Sequence, residues 1–402
     1  MSGLPRPAFC VYSTGLMTLI VDKTVLAEFC ARQAEAEFVT VDTEFMRDRT
    51  YWPELCLVQV AGPKEAAAID PLAEAMDLTP LFALLANPAV LKVFHAARQD
   101  IEIFYKLMGA VPAPLFDTQV AAMVCGFGES ASYETLAGKL AGARIDKSSR
   151  FTDWSHRPLT DRQIHYALTD VVPLRTVYEK LKTRLQRNDR AVWLEEEINL
   201  LADPATYTVD PRESWRRFKL RGSSRRTLAL LRELAAWREI AAQQRNLPRN
   251  RILRDEQILE IAAHAPASAA DLARTRGIGK GFVEGRLGTE VLAVVKDALA
   301  MPEHEHPEPP PRRELPPGLG PLVDLLKVLL KLRCEEHGVA QKLVASADEL
   351  EVVAADDEAE VPALSGWRRE LFGNDALDLK HGHIALTAAG KQIRLVRLDD
   401  AS

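Results

Sequence analysis

The stretch Phe38-Val-Thr-Val-Asp-Thr-Glu-Phe45 decides how the rest of the chain is read. Every residue in it except Asp42 and Glu44 is β-branched or aromatic, which predicts a strand. Side chains on a strand alternate faces, so Asp42 and Glu44 share one face, with Val39, Val41, Thr43 and Phe45 on the other. Two neighbouring carboxylates repel each other, and a divalent cation between them relieves the repulsion. A D-x-E pair on a strand also fits an ordinary exposed polar face. The weight therefore falls on what accompanies it.

Upstream, Asp22–Glu35 reads as a helix capped by Asp22. Downstream, the loop Met46–Pro53 holds two arginines with Tyr51 and Trp52. Leu55–Ala61 and Ala66–Asp70 read as strands, Leu78–Leu85 as a helix and Val90–Phe94 as a strand. A helix over Ala96–Met108 follows, stopped by Gly109. Strands followed by helix–strand alternation predict an α/β domain with a mixed sheet. His95 and Asp100 open that last helix, where a surface acid is also favoured by the dipole. Asp117 reads as a helix cap. Further on, Thr160 and Gln163 form a capping box. It starts a helix on which Tyr166 and Asp170 lie four residues apart on one face, and Pro173 predicts a kink.

Four carboxylates on three segments, with a Tyr at Y-x-x-x-D spacing, resemble the DEDD superfamily of 3′→5′ exonucleases in its tyrosine-bearing branch. The resemblance spans residues 18–200. Val41 to Val60 is especially similar to the ribonuclease D family. It implies a ribonuclease H-like mixed sheet flanked by helices. The implied activity is metal-dependent 3′→5′ hydrolysis of RNA to nucleoside 5′-monophosphates, with tRNA 3′ ends as substrates. It further implies two divalent ions, Mg²⁺ or Mn²⁺, with Asp42 bridging them, Glu44 and Asp170 on the ion that activates water, and Asp100 on the other. Tyr166 would orient the water, and Thr43, Phe45, Tyr51 and His95 would contact substrate. For Phe45, a role as a wedge under the terminal bases and ordinary core packing both stay open. The chemistry agrees: a phosphodiester needs an activated water in line with a leaving 3′-oxygen, and two ions about 4 Å apart serve both ends. Hard cations call for oxygen ligands.

From Pro211 the character changes. Residues 212–255 hold 13 Arg or Lys against four acids, a balance of +9 in a chain of net charge −6. Such an imbalance on helices, where Leu228, Leu231, Leu234, Ala235 and Arg238 recur at helical spacing, points to a polyanion partner. Arg225 and Arg226 are its candidate RNA contacts. Leu220 to Ala300 resembles an HRDC domain, with Trp237 as its core aromatic. Arg276-Gly-Ile-Gly-Lys-Gly281 lacks phosphate-loop spacing and reads as a helix–helix turn. Residues 302–321 contain eight prolines, an extended linker. Beyond it, 322–398 resembles a second, diverged HRDC domain, and the net charge of 322–402 is −5.

These readings divide the chain into an arm (1–16), an exonuclease domain (17–205), a first HRDC domain (212–300), a linker (301–321) and a second HRDC-like domain (322–398). The fold class is thus an α/β nuclease domain followed by two all-α helical domains. No apolar run reaches the roughly 20 residues of a bilayer span, and residues 1–16 lack the apolar core of a signal peptide. Five scattered cysteines without C-x-x-C fit reduced thiols in a cytoplasmic protein rather than zinc or disulfides. RNA as partner, no membrane and a monomer are the expectations. A 3′→5′ DNA exonuclease and a non-catalytic RNA-binding scaffold are the alternatives. The catalytic residues do not separate RNA from DNA, whereas the complete set of acids and Tyr disfavours the scaffold.

Overall fold

The computed structural model describes residues 10–12, 15–146, 149–218, 224–309 and 316–398. A seven-stranded sheet organises the first half, in the order β1-β2-β5-β4-β3-β6-β7. The strands are β1 (Cys10–Tyr12), β2 (Gly15–Ile20), β3 (Phe38–Met46), β4 (Glu54–Ala61), β5 (Glu65–Ile69), β6 (Leu91–Phe94) and β7 (Leu115–Asp117). β3–β4–β5 pair antiparallel, while β2–β5, β3–β6 and β6–β7 are parallel, giving the expected mixed sheet. Part of the predicted arm is thereby corrected: Cys10 to Tyr12 pair with Met17 to Gly15 as an edge hairpin. Residues 1–9 and 13–14 of the arm lie outside the described residues.

Both sheet faces are covered, which explains why β4 is apolar on nearly every residue. On one face Val39, Val41, Val58 and Val60 pack against Phe29, Leu81, Leu85, Ile101 and Phe104. On the other, Leu57 and Ala68 meet Trp154, Leu168 and Val171. The last two belong to the helix Asp161–Arg187, which starts at the predicted Thr160–Gln163 capping box and runs on through Pro173. Asp22 caps the helix Lys23–Gln33 as expected.

The second half is helical. Arg225–Arg245, Arg249–Ile252, Asp255–His264 and Arg286–Ala300 enclose a core of Leu228, Leu231, Leu234, Ile258, Ile261, Val291 and Val295. Its buried aromatics are Trp215 and Phe218. The predicted core aromatic Trp237 is only half-buried and donates its indole N–H to Glu290 at 3.1 Å. Arg238, counted among the basic residues of this segment, does not face a partner surface. It is 2% exposed, donating to the Leu253 carbonyl and to Asp255, each at 2.8 Å.

A further set of helices, Gly320–His337, Gln341–Val344 and Ala347–Ala355, shares one apolar cluster with nuclease residues Ala121, Val124 and Leu194. Trp367 stacks on Trp193 with ring centroids 4.3 Å apart, and Arg368 pairs with Glu196. The chain then adds an element not anticipated from sequence, the hairpin of β8 (Ile384–Ala389) and β9 (Gln392–Arg397). Gly390 opens its two-residue loop at φ 67°, a conformation that glycine adopts without steric cost.

Candidate active site

The acids meet at the carboxyl end of β3. Pairing with β6 ends at Thr40, so Val41 to Met46 have a strand neighbour on one side only. The helix Arg98–Met108 begins beside that open edge and carries Asp100, which is buried. Asp170 and Tyr166 come from the Asp161–Arg187 helix on the opposite wall. The result is a cleft of about 540 Å³ lined by Asp42, Thr43, Glu44, Phe45, His95, Asp100, Tyr166 and Asp170, among others.

This open edge corrects the simple two-face reading of β3. Thr43 lines the cleft as well, and its hydroxyl donates to Asp100. Thr43 is therefore engaged in fixing a carboxylate, where a substrate contact was expected. A register shift between Glu44 and Phe45 leaves Cys56 of β4 without a strand partner, and Phe45 lines the cleft just beyond it. Phe45 is half-buried, packing on the core with one side and facing the cleft with the other, so both readings offered for it describe part of its position.

His95 is placed by a pinned turn. Ala96 has φ 59°, a left-handed conformation costly for alanine. Asp117 holds the turn by accepting from Ala96 N and Ala97 N at 3.0 and 2.8 Å, and it also caps the helix Thr118–Val124 as expected. Tyr51 is corrected. It stands outside the cleft, 6% exposed, donates its hydroxyl to Glu239 and accepts from Arg249 at 3.0 Å. The neighbouring Trp52 N–H donates to Asn246 at 3.0 Å. The Met46–Pro53 loop thus docks the first helical unit. Its aromatics were legible in sequence, but the buried acid opposite them, almost 190 residues away, was not.

The supposed basic stripe is also largely committed. Arg225 pairs with Glu308 at 3.0 Å, Arg232 with Glu233 at 2.8 Å and Arg217 with Asp255 at 3.3 Å. Arg226 is exposed. Lys219 and Arg221 lie outside the described residues.

The electrostatics of the cleft follow from burial. Burial first, and Asp170 second, push the Asp42 carboxyl well above its usual range. Burial and the charges of Asp42, Asp170 and Asp100 push Glu44 up to about 10. Asp100 rises for the same reasons, against its bond from Thr43. Asp170 rises to about 7, restrained by a hydrogen bond from Tyr166 and by Arg150. The Tyr166 phenol is raised by burial and then by Asp170, so its hydroxyl acts as a donor. Four carboxylates, Asp100 buried and Asp42, Glu44 and Asp170 half-buried, with too little positive charge among them are a donor set for hard divalent cations. Among the described residues, no three such groups are already gathered into a finished metal cage, so water and phosphate oxygens must complete any shell.

Several lining residues escaped the sequence reading: Gln99, Gln119, Ser132, Tyr133 and Arg150. None sits in a periodic or spaced motif. Among the described lining residues, Arg150 is the one Arg or Lys.

Comparison with known proteins agrees with this geometry. A family model described as 3′-5′ exonuclease matches residues 17–186, and one described as HRDC domain matches 227–295. The chain is 56% identical to ribonuclease D of Acidiphilium cryptum over 382 residues, covering 94% of this chain and 97% of that protein. It is 52% identical to ribonuclease D of Granulibacter bethesdensis, covering 94% and 96%. The chain belongs to the ribonuclease D family. The crystal structure of Escherichia coli RNase D, described as an exoribonuclease involved in structured RNA processing, superposes with a TM-score of 0.79. The identity is 31%, over 91% of this chain and 99% of that one. As a member of the ribonuclease D family, the chain is a 3′→5′ exoribonuclease dependent on divalent metal. Among the described residues no helix is long and apolar enough to cross a membrane.

Proposed function

We propose that Asp42, Glu44, Asp100 and Asp170 together hold two divalent cations, Mg²⁺ or Mn²⁺, and that the enzyme trims the 3′ ends of tRNA precursors and other small structured RNAs. The observation that carries this reading is the convergence of four carboxylates from β3 and two helices on one cleft, Asp100 buried and the other three half-buried, each raised by loss of solvent and most by one another. Bound there, the cations would supply a nucleophilic water at neutral pH and stabilise the leaving 3′-oxygen. Thr43 fixes the Asp100 carboxylate, so its lone pairs meet the cleft in one orientation. Tyr166 keeps its proton and holds Asp170 by a hydrogen bond, positioning that oxygen beside the attacking water. Phe45 offers a ring face to the terminal base, and His95 a polar edge to the terminal nucleotide.

The same reading assigns 212–300 and 322–398 as two helical modules of one kind. In its support, both run through a long helix, a four-residue helix and a helix of nine or ten residues. The protein acts as a monomer, because one chain supplies all four acids, and in the cytoplasm, where the buried free thiols Cys30, Cys56, Cys125 and Cys334 stay reduced.

The test is to incubate the protein with a 3′-extended tRNA and a matched single-stranded DNA, with EDTA, Mg²⁺ or Mn²⁺. Metal-dependent release of 5′-monophosphates from the tRNA is expected. Asp42→Asn is expected to bind that RNA without hydrolysing it, and robust hydrolysis by this variant would overturn the assignment.

A further inference from the structure

The imidazole of His95 has a tautomer that its neighbours dictate. Nδ1 lies 3.0 Å from Thr118 Oγ1. Thr118 is fully buried, and its hydroxyl proton goes to the Phe94 carbonyl at 3.0 Å. With that proton committed, the Thr118 oxygen can only accept, so Nδ1 carries the hydrogen and donates it. Burial keeps the ring below the usual histidine range, hence neutral. In a neutral ring with Nδ1 protonated, Nε2 is a bare acceptor. It lies on the ring edge away from Thr118, and the half-buried His95 contributes to the cleft wall next to Ala96, Gln99 and Tyr133. Among the described residues none bonds Nε2. The Tyr133 ring flanks the imidazole at 5.7 Å between centroids and limits its rotation.

An uncharged acceptor cannot bind a phosphate oxygen, which also only accepts. It needs a donor on the terminal nucleotide. Base donors differ among A, C, G and U, whereas the sugar hydroxyls are common to all four, which suits an enzyme that removes each in turn. Resting on the exoribonuclease reading of this cleft, we propose that His95 Nε2 accepts a hydrogen bond from a hydroxyl of the 3′-terminal ribose and so reads the sugar of the nucleotide about to be removed. The 2′-hydroxyl is the group by which a protein tells RNA from DNA at a given position, so a bond there would give the cleft its sugar selectivity.

The test is a double-mutant cycle between residue and substrate. Single-turnover kcat/KM is measured for wild type, His95→Ala and His95→Gln, with Mg²⁺. The RNAs are identical except for a terminal 2′-OH, 2′-deoxy, 2′-fluoro or 3′-deoxy sugar. The 2′-fluoro group preserves the ribose pucker but cannot donate. Wild type is expected to lose about tenfold on removal of the hydroxyl that Nε2 contacts, the size of one net hydrogen bond. His95→Ala is expected to lose about as much on the all-ribose substrate and then be indifferent to that same removal. His95→Gln, which retains an acceptor, should recover part of the preference. Coupling on the 2′ arms or on the 3′ arm supports the proposal and identifies the hydroxyl. Discrimination unchanged between wild type and both variants on every arm would overturn it. Wild type that releases no nucleotide from any of these RNAs would instead overturn the exoribonuclease reading itself.

Discussion

Tyr133 donates its hydroxyl to the carbonyl of Thr169 at 2.9 Å, the carbonyl that Pro173 leaves without its helical donor. In an uninterrupted helix the N–H of residue 173 would fill that role, and proline has none. The Asp161–Arg187 helix therefore continues past Pro173 with an acceptor satisfied from outside, one residue before Asp170. Tyr133→Phe is expected to cost about 1 kcal/mol of stability through this lost bond. In a Pro173→Ala background, where the backbone regains its donor, the cost should largely vanish. Urea denaturation of the four proteins measures both, and an equal cost in both backgrounds would show that the bond does not compensate for the proline.

Cation binding should stabilise the protein in a pH-dependent way. The cleft carboxylates have folded pKa values raised above their unfolded ones, to about 10 for Glu44 and about 7 for Asp170. The metal-free native state thus binds more protons than the unfolded state, and these groups make it less stable as pH rises from about 4 through those values. A divalent ion binds the deprotonated form and cancels the repulsion, so its benefit grows in the same direction. At a hundredfold excess of Mg²⁺ over Kd, Tm should rise on the order of 5 °C at pH 8.5 relative to EDTA, and much less at pH 6. Scanning calorimetry decides this, and a larger Mg²⁺ effect at the lower pH would contradict the site.

Tyr166→Phe removes the hydroxyl that holds Asp170 while keeping the ring that packs 6.0 Å from Trp154. A loss of about 10²-fold in kcat is expected, typical of a water-positioning or proton-handling group. KM should move little. If kcat is unchanged while Asp170→Asn is inactive, Tyr166 only fills space.

Glu239 is 1% exposed and is bound by Arg249 at 2.5 Å as well as by Tyr51. Replacing it with alanine removes a buried carboxylate held by Tyr51 and by half-buried Arg249 at the seam between nuclease and helical units, at a cost of about 2 kcal/mol. The expected sign is uncoupling: a two-step denaturation curve, near-normal turnover of short single-stranded RNA, and a raised KM on tRNA-sized RNA. A single transition with equal losses on both substrates would mean that the seam does not hold the units together.

Among the basic residues, exposed Arg226 is better placed to meet phosphate than Arg225 and Arg232, which are tied to Glu308 and Glu233. Arg226→Glu is expected to flatten the slope of log K against log salt by roughly 0.7 or more for single-stranded contacts. Filter binding to an inactive Asp42→Asn background measures it, and an unchanged slope would mark Arg226 as plain solvated surface.

The sequence by itself determined four strands of the sheet, β3 to β6, the capping of the Asp161–Arg187 helix, and the four acids and Tyr166 as candidates for one site. Those depend on local rules: β-branched residues around Asp42 and Glu44, a Thr160–Gln163 box, and a four-residue spacing on one helix face. Only the tertiary structure decided where β6 stops pairing with β3. That stop is what lets Thr43 reach Asp100 and turns a two-faced strand into the lip of a cleft. It also decided that Tyr51 serves a domain seam and that Arg238 is buried, because both depend on partners distant in sequence or on packing that no periodicity encodes. Tyr133 and His95 illustrate the difference most plainly. Their chemistry is set by a carbonyl that a proline exposed and by a hydroxyl whose proton was already given away, and neither condition exists until the chain has folded.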